Sequence, residues 1–224
     1  MKILAIDTAT EGCSVALLQD VEVIERFEVT PRGHADHVLD MAREVLAEGQ
    51  LTLGQLDAIA FDRGPGSFTG VRIGCSVAQG FGFAMDLPLL GISSLQALAA
   101  AALREHAEID YVCAMIDARM HEIYAGCYAR GGNLPRLLGD EGVLPAHKLI
   151  LPHAEQSWLA TGTGWSAYRS AFTKDLSAQV VFGEGTALPH AAEVAQLAVS
   201  AFNAGEAITA ELAHPTYLRD RVTS

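Results

Sequence analysis

A short apolar run ending in aspartate occurs twice in this chain. Ile3-Leu-Ala-Ile-Asp7 is followed by Cys13 to Leu18, and Cys113-Ala-Met-Ile-Asp117 by Ile123 to Tyr128, at a constant offset of 110 residues. Only Ile6/Ile116 and Asp7/Asp117 are identical across that window, so the signal is the repeated pattern of strand, turn and strand. A chain of 224 residues is long enough for two small domains, and a supersecondary unit used twice divides it near residue 105. Residues 1–105 are therefore expected to form an amino-terminal lobe. Residues 106–224 form a carboxy-terminal one, with the terminal segment free to pack back on the first.

Within the first half, Ile3 to Ile6, Ser14 to Leu18 and Glu22 to Val29 are short β-favouring runs separated by turn residues, which predicts an antiparallel meander. Val38, Met41, Ala42, Val45 and Leu46 then recur at helical spacing, predicting an amphipathic helix over His34 to Glu48 with Gly49 as its stop. Leu56 to Phe61 reads as a buried strand, Phe68 to Met85 as a second helix and Leu89 to Ile92 as a strand. An alanine-rich helix to about His106 follows, with Ser93 or Ser94 as its cap. The second half is richer in glycine and proline. Its clearest features are the strand-to-turn passage Trp158 to Gly164 and a helix over Ala191 to Ala204 with Gly205 beyond its end. Together these elements predict an α/β fold.

Composition narrows the function. The longest charge-free run, Leu87 to Leu103, is 17 residues and includes Pro88 and Gly91. That is short of the roughly 20 apolar residues a membrane span needs. Met1 to Asp7 lacks the pattern of a signal peptide, so a cytoplasmic chain is expected. The cysteines at 13, 75, 113 and 127 lie in apolar stretches with no C-x-x-C spacing, which predicts buried reduced thiols. With 27 acidic side chains against 15 basic ones, the formal charge of −12 opposes direct nucleic-acid binding.

The most distinctive segment is Arg63 to Gly74, a glycine-rich turn running into a helix. It is not a Walker loop, because no Gly-Lys-Ser/Thr follows. It reads either as an anion cradle or as a tight turn capped by Ser67 or Thr69. Gly70, Gly74, Ala78 and Gly82 form a smooth ridge along that helix. Glycine within a helix costs up to ~1 kcal/mol relative to alanine, so the ridge implies close backbone approach. It could serve the chain's own sheet and first helix, or another molecule. His34 and His37 are spaced as H-x-x-H without a third ligand and read as exposed helix residues, and no metal site is expected. Asp7 and Asp117 each end a strand, as carboxylates do in two-lobed nucleotide-binding proteins, so an ATPase or phosphotransferase is the competing reading. Thr8-Ala9-Thr10 and Ala118-Arg119-Met120, which follow them, are too bulky for a phosphate cradle. No cofactor and no catalytic residue are expected.

The segments Ile3 to Thr10, Arg32-Gly-His34, Gly64 to Gly74, Asp117 to Met120 and Tyr217-Leu-Arg-Asp220 together resemble the TsaB (YeaZ) family over essentially the whole length. That resemblance implies two ribonuclease H-like lobes of the superfamily that includes actin, sugar kinases and Hsp70. It also implies a non-catalytic accessory role in threonylcarbamoyladenosine formation at position 37 of tRNA. The partners it implies are the catalytic paralogue TsaD as heterodimer, the ATPase TsaE in a larger complex and a second copy when the chain is alone, with tRNA met only through them. The metal-binding histidines of the paralogue align with Ser94 and Leu98, which cannot replace imidazole. The M22 peptidase label attached to such proteins has no catalytic residues here to support it. The family's partner surface is its first two helices, which maps binding onto Val38, Met41, Val45, Gly70, Gly74, Ala78 and Gly82.

Overall fold

The computed structural model describes residues 1–30, 33–132, 134–153 and 155–219. Arg32 and Asp220, at the ends of two of the motifs above, lie outside the described residues. The chain forms two compact units, Met1–Ser94 with Pro189–Thr216, and Leu95–Leu188 with Tyr217–Ser224.

In the first unit, β1 (Lys2–Asp7), β2 (Gly12–Gln19) and β3 (Glu22–Val29) make the expected antiparallel meander. The chain then passes through α1 (His34–Glu48) to β4 (Ala58–Gly64), which pairs parallel with β1. From there α2 (Phe68–Met85) leads to β5 (Leu89–Ser93), parallel to β4. The sheet order is β3-β2-β1-β4-β5. Alternation along the strands sends Leu4, Ile6, Val15, Leu17, Ile59 and Phe61 to one face, where α1 and α2 cover them. Both helices have the bounds their periodicity predicts.

The second unit opens with α3 (Ser94–Glu105), followed by β6 (Tyr111–Asp117), β7 (Glu122–Gly131), β8 (Leu134–Leu137) and β9 (Gly142–Pro145). Next come β10 (Trp158–Thr161), α4 (Thr163–Ala167), α5 (Lys174–Gln179) and β11 (Val180–Glu184). The sheet order is β11-β10-β6-β7-β8, with β9 also on β7. β6 and β7 are antiparallel, and β6, β10 and β11 parallel, so both sheets share one topology with β6 in the place of β1. The repeat read from two aspartate-ended strands is thus a repeat of the whole ribonuclease H-like sheet.

The division falls after Ser94, not near residue 105. Leu95, Leu98, Ala99, Ala102 and Leu103 of α3 are buried with Val112, Ala114, Ile116, Tyr128 and Leu159 of the second sheet, which assigns the helix to that unit. Conversely α6 (Ala191–Asn203) returns to the first unit, on strands β1, β2, β4 and β5. It ends as expected, with Gly205 at φ +77°. All four cysteines are buried and unbridged. No described helix is long and apolar enough to cross a membrane.

Candidate functional site

The glycine turn is built against the β1–β2 connection. Ser67 N donates to Ala9 O at 2.7 Å, and Ser67 Oγ caps α2 by accepting from Gly70 N at 3.4 Å. A Cβ on Gly66 would strike Ala9 O, and one on Gly70 would strike Thr8 O. A Cβ on Gly74 would stand 2.7 Å from Thr8 Oγ1, which itself donates to Gly70 O at 2.7 Å. Further along, Ala78 is enclosed in the core, and a Cβ on Gly82 would collide with the Leu89 side chain. The ridge Gly70, Gly74, Ala78 and Gly82 is therefore occupied from within its own unit. The expectation that it meets a partner is corrected. Small residues here admit the Thr8–Ala9 backbone and Leu89, and that backbone also lies where an anion cradle would have to open.

The same correction applies to α1. Val38, Met41 and Val45 are buried in the cluster that contains Leu4, Val15 and Leu17. They are the inward stripe that makes the helix amphipathic.

What the two neighbouring helices present outward is a different set. Thr69, Arg72, Ser76, Gly80 and Phe83 are exposed on α2 at steps of three and four, hence on one face. On α1 the exposed apolar residues are Ala35, Leu39 and Ala47. Leu39 is 48% exposed, Phe68 57% and Phe83 71%, an apolar content unusual for solvated helix faces. The Arg72 guanidinium carbon sits 3.3 Å over the Phe68 ring. A Cβ on Gly80 would meet no heavy atom within 4 Å, so this glycine, unlike its neighbours, lies open. The sequence signal for it was present as a fourth helical glycine off the ridge.

The remaining candidates do not converge on chemistry. His34 is buried at the start of α1, with Nε2 2.9 Å from Thr10 O, and His37 Nδ1 is 3.2 Å from Glu28 Oε2. His34 is thus not the exposed residue expected, because the first turn of α1 closes over the β1–β2 connection. Among the described residues the metal-capable group is Glu105, His106 and Glu184 on the surface of the second unit, and it includes neither. Asp117 accepts from Arg119 N, Arg119 Nη1 and Tyr168 Oη, each at 2.8 Å. Asp7 is fully buried beside Asp62, and burial together with that neighbouring carboxylate pushes its pKa well up. Asp7 is thus enclosed within its unit, and Asp117 is engaged by arginine and tyrosine, so neither stands as an open carboxylate at its strand end. Ser94 Oγ donates to Asp62 Oδ1 at 2.5 Å, and Leu98 is a core residue of the second unit.

A duplicated ribonuclease H-like α/β protein, with an apolar helix pair exposed on its first unit, is the class that fold and site define. A family model described as tRNA N6-adenosine threonylcarbamoyltransferase, TsaD, matches residues 27–224. The chain is 39% identical to the Escherichia coli tRNA threonylcarbamoyladenosine biosynthesis protein TsaB, over 99% of this chain and 96% of that one. It is likewise 39% identical to the Haemophilus influenzae TsaB, over 100% and 95%. The structure of YeaZ from Pseudomonas aeruginosa superposes with a TM-score of 0.91 at 44% identity, covering 97% of this chain and 99% of that one. The chain belongs to the TsaB (YeaZ) family.

Proposed function

We propose that this protein is a non-catalytic subunit of the machinery that installs threonylcarbamoyl on adenosine 37 of tRNA. In this reading it binds the catalytic paralogue TsaD through the outward face of α1 and α2, and TsaE joins the larger assembly. The observation that carries the reading is the exposed stripe Thr69, Arg72, Ser76, Gly80 and Phe83 on α2, with Leu39 exposed on α1. It combines apolar side chains with an open glycine, the composition of a helix face built for close packing. Two further features support a helper over an enzyme. Ser94 and Leu98, where the paralogue has metal histidines, are a hydroxyl held by Asp62 and a core leucine. The formal charge of −12 leaves RNA binding to the partners. Alone, the same face would pair two copies, in competition with TsaD.

The decisive experiment is reconstitution of the modification from purified components, with this chain omitted or restored. The expected result is turnover only when it is present together with TsaD, and none from this chain alone. Full turnover without it would overturn the reading.

A further inference from the structure

At its carboxyl end α2 borders a recess of about 400 Å³ in the first unit. One wall is formed by Gly82, Phe83, Asp86 and Leu87, and the other by the segment Ala207 to Glu211. Both walls are pinned. Ile208 exchanges backbone hydrogen bonds with Leu89 at 2.8 and 2.9 Å, and Gln79 Nε2 donates to Ala210 O and Ala213 O, each at 3.1 Å. Asp86 closes the helix in the left-handed region at φ +54°, with its N–H on Gly82 O. The recess is thus shaped in advance by the hydrogen bonds of its own unit.

Its chemistry has one sign. Asp86 and Glu211 are exposed carboxylates at its border, and among the described residues that line it there is no lysine, arginine or histidine. A hydrogen bond with Thr209 holds the Glu211 carboxyl below its ordinary pKa, so it is charged at neutral pH. The last turn of α2 adds the partial negative charge of a helix carboxyl end. Phe83, 71% exposed, sets an aromatic ring beside these charges. The other end of the same helix shows how such a ring pairs, with the Arg72 guanidinium carbon 3.3 Å over Phe68.

We propose that this recess receives a basic side chain of TsaD, which orients that subunit on the α1/α2 face. The inference rests on the function proposed above. A guanidinium answers all three features, because its planar fork bonds carboxylates, it stacks on an aromatic ring, and it is favoured at a helix carboxyl end. Charge complementarity points to the source. With a formal charge of −12 on this chain, the basic side chains that meet tRNA belong to the partner in that reading. Phe83 is both the last residue of the exposed stripe and part of the recess wall, so the two surfaces are continuous. Apolar packing along a helix face leaves the register of the partner free, and a charge seated at the end of that face fixes it.

The test measures binding of TsaD to the full chain by calorimetry at low and high salt. Asp86→Asn combined with Glu211→Gln removes both charges at constant size, and asparagine tolerates the left-handed backbone at position 86. Neither residue belongs to the stripe that carries the proposed function. The expected result is affinity about tenfold weaker than native at low salt, converging with native at high salt, where the charges are screened. Should circular dichroism show the double variant misfolded, Glu211→Gln alone serves, with an expected loss of about threefold. Native affinity in the variant at low salt, with Gly80→Arg still abolishing binding, would overturn the recess and leave the proposed function standing. A loss undiminished by salt would also overturn it, as a structural effect in place of charge recognition. Failure of the native chain to bind TsaD at all would instead overturn the proposed function, and the recess with it.

Discussion

Thr8 Oγ1 donates to Gly70 O across 2.7 Å and fills the space that a side chain on Gly74 would need. This contact ties the β1–β2 connection to the first turns of α2 and explains the glycine-rich segment without a ligand. A Cβ on Gly70 would strike Thr8 O, so Gly70→Ala is expected to cost about 2–3 kcal/mol by overpacking. Gly80→Ala, on the same helix but in open space, should stabilise by roughly 0.5–1 kcal/mol. Urea denaturation followed by circular dichroism separates the two, and equal effects would contradict the packing described.

Pairing should respond in the opposite pattern. Gly80→Arg places a charged side chain on the outward face and is expected to abolish co-elution with TsaD while leaving a folded monomer. Gly74→Arg is expected to fail earlier, at folding, because its side chain points into Thr8 and Ile6. Size-exclusion chromatography with circular dichroism on both variants checks this, and a Gly80→Arg chain that still binds would move the interface elsewhere.

In the second unit, Arg130 Nη2 donates to Leu103 O, His106 O and Ile109 O at 2.9, 2.8 and 2.6 Å, gathering the carbonyls at the end of α3. Arg130→Met removes that donor from three acceptors and is expected to cost about 3 kcal/mol. Both tryptophans, Trp158 and Trp165, lie in this unit, so intrinsic fluorescence follows its unfolding selectively. An unshifted fluorescence midpoint would refute the assignment.

The thiols give a test on the alkaline side. Burial, with the charges of Asp7 and Glu28, pushes the Cys13 thiol up to about 11, while burial raises Cys75 and contact with Cys127 raises Cys113. Thiolates being the reactive form, a disulfide reagent at pH 8 should leave the native protein unmodified and titrate four groups after unfolding. The sign for stability follows from the raised native value. The Cys13 contribution is complete below the ordinary thiol range near 9.0 and is lost as pH climbs through about 11. Modification of the native chain at pH 8 would show the burial to be wrong.

Much of the fold was legible because its strongest signals are periodic. α1 and α2 carry unbroken helical patterns, and β1 to β3 are short β-favouring runs between clear turns. In the second unit β8 and β9 have four residues each and α4 five, too few for a period to register among the glycines and prolines. The candidate interface was legible only as a pair of helices. A stripe of small residues announces close approach but not the approaching group, and the group that occupies it, Thr8, lies 62 positions from Gly70. Apolar periodicity likewise marks Val38, Met41 and Val45 as buried, and burial in the chain's own core satisfies it. The outward face mixes polar, charged, glycine and aromatic residues, so no apolar period marks it. The Asp7–Asp62 pair was equally hidden, since only the parallel register of β1 and β4 brings those residues side by side.

The return of α6 to the first sheet sets an order on biosynthesis. Ala191 N on Ser14 Oγ, Ala192 N on Glu25 Oε1 and the reciprocal bonds between Leu89 and Ile208 all join the opening hundred residues to the segment 189–216. A ribosome will have emitted Leu95–Leu188 of the second unit before the first can close over its remaining face and its β5 edge. The sheet begun earliest thus waits on a segment made after its neighbour's strands, and a transcript broken before codon 189 yields a bare apolar sheet face for the quality-control machinery.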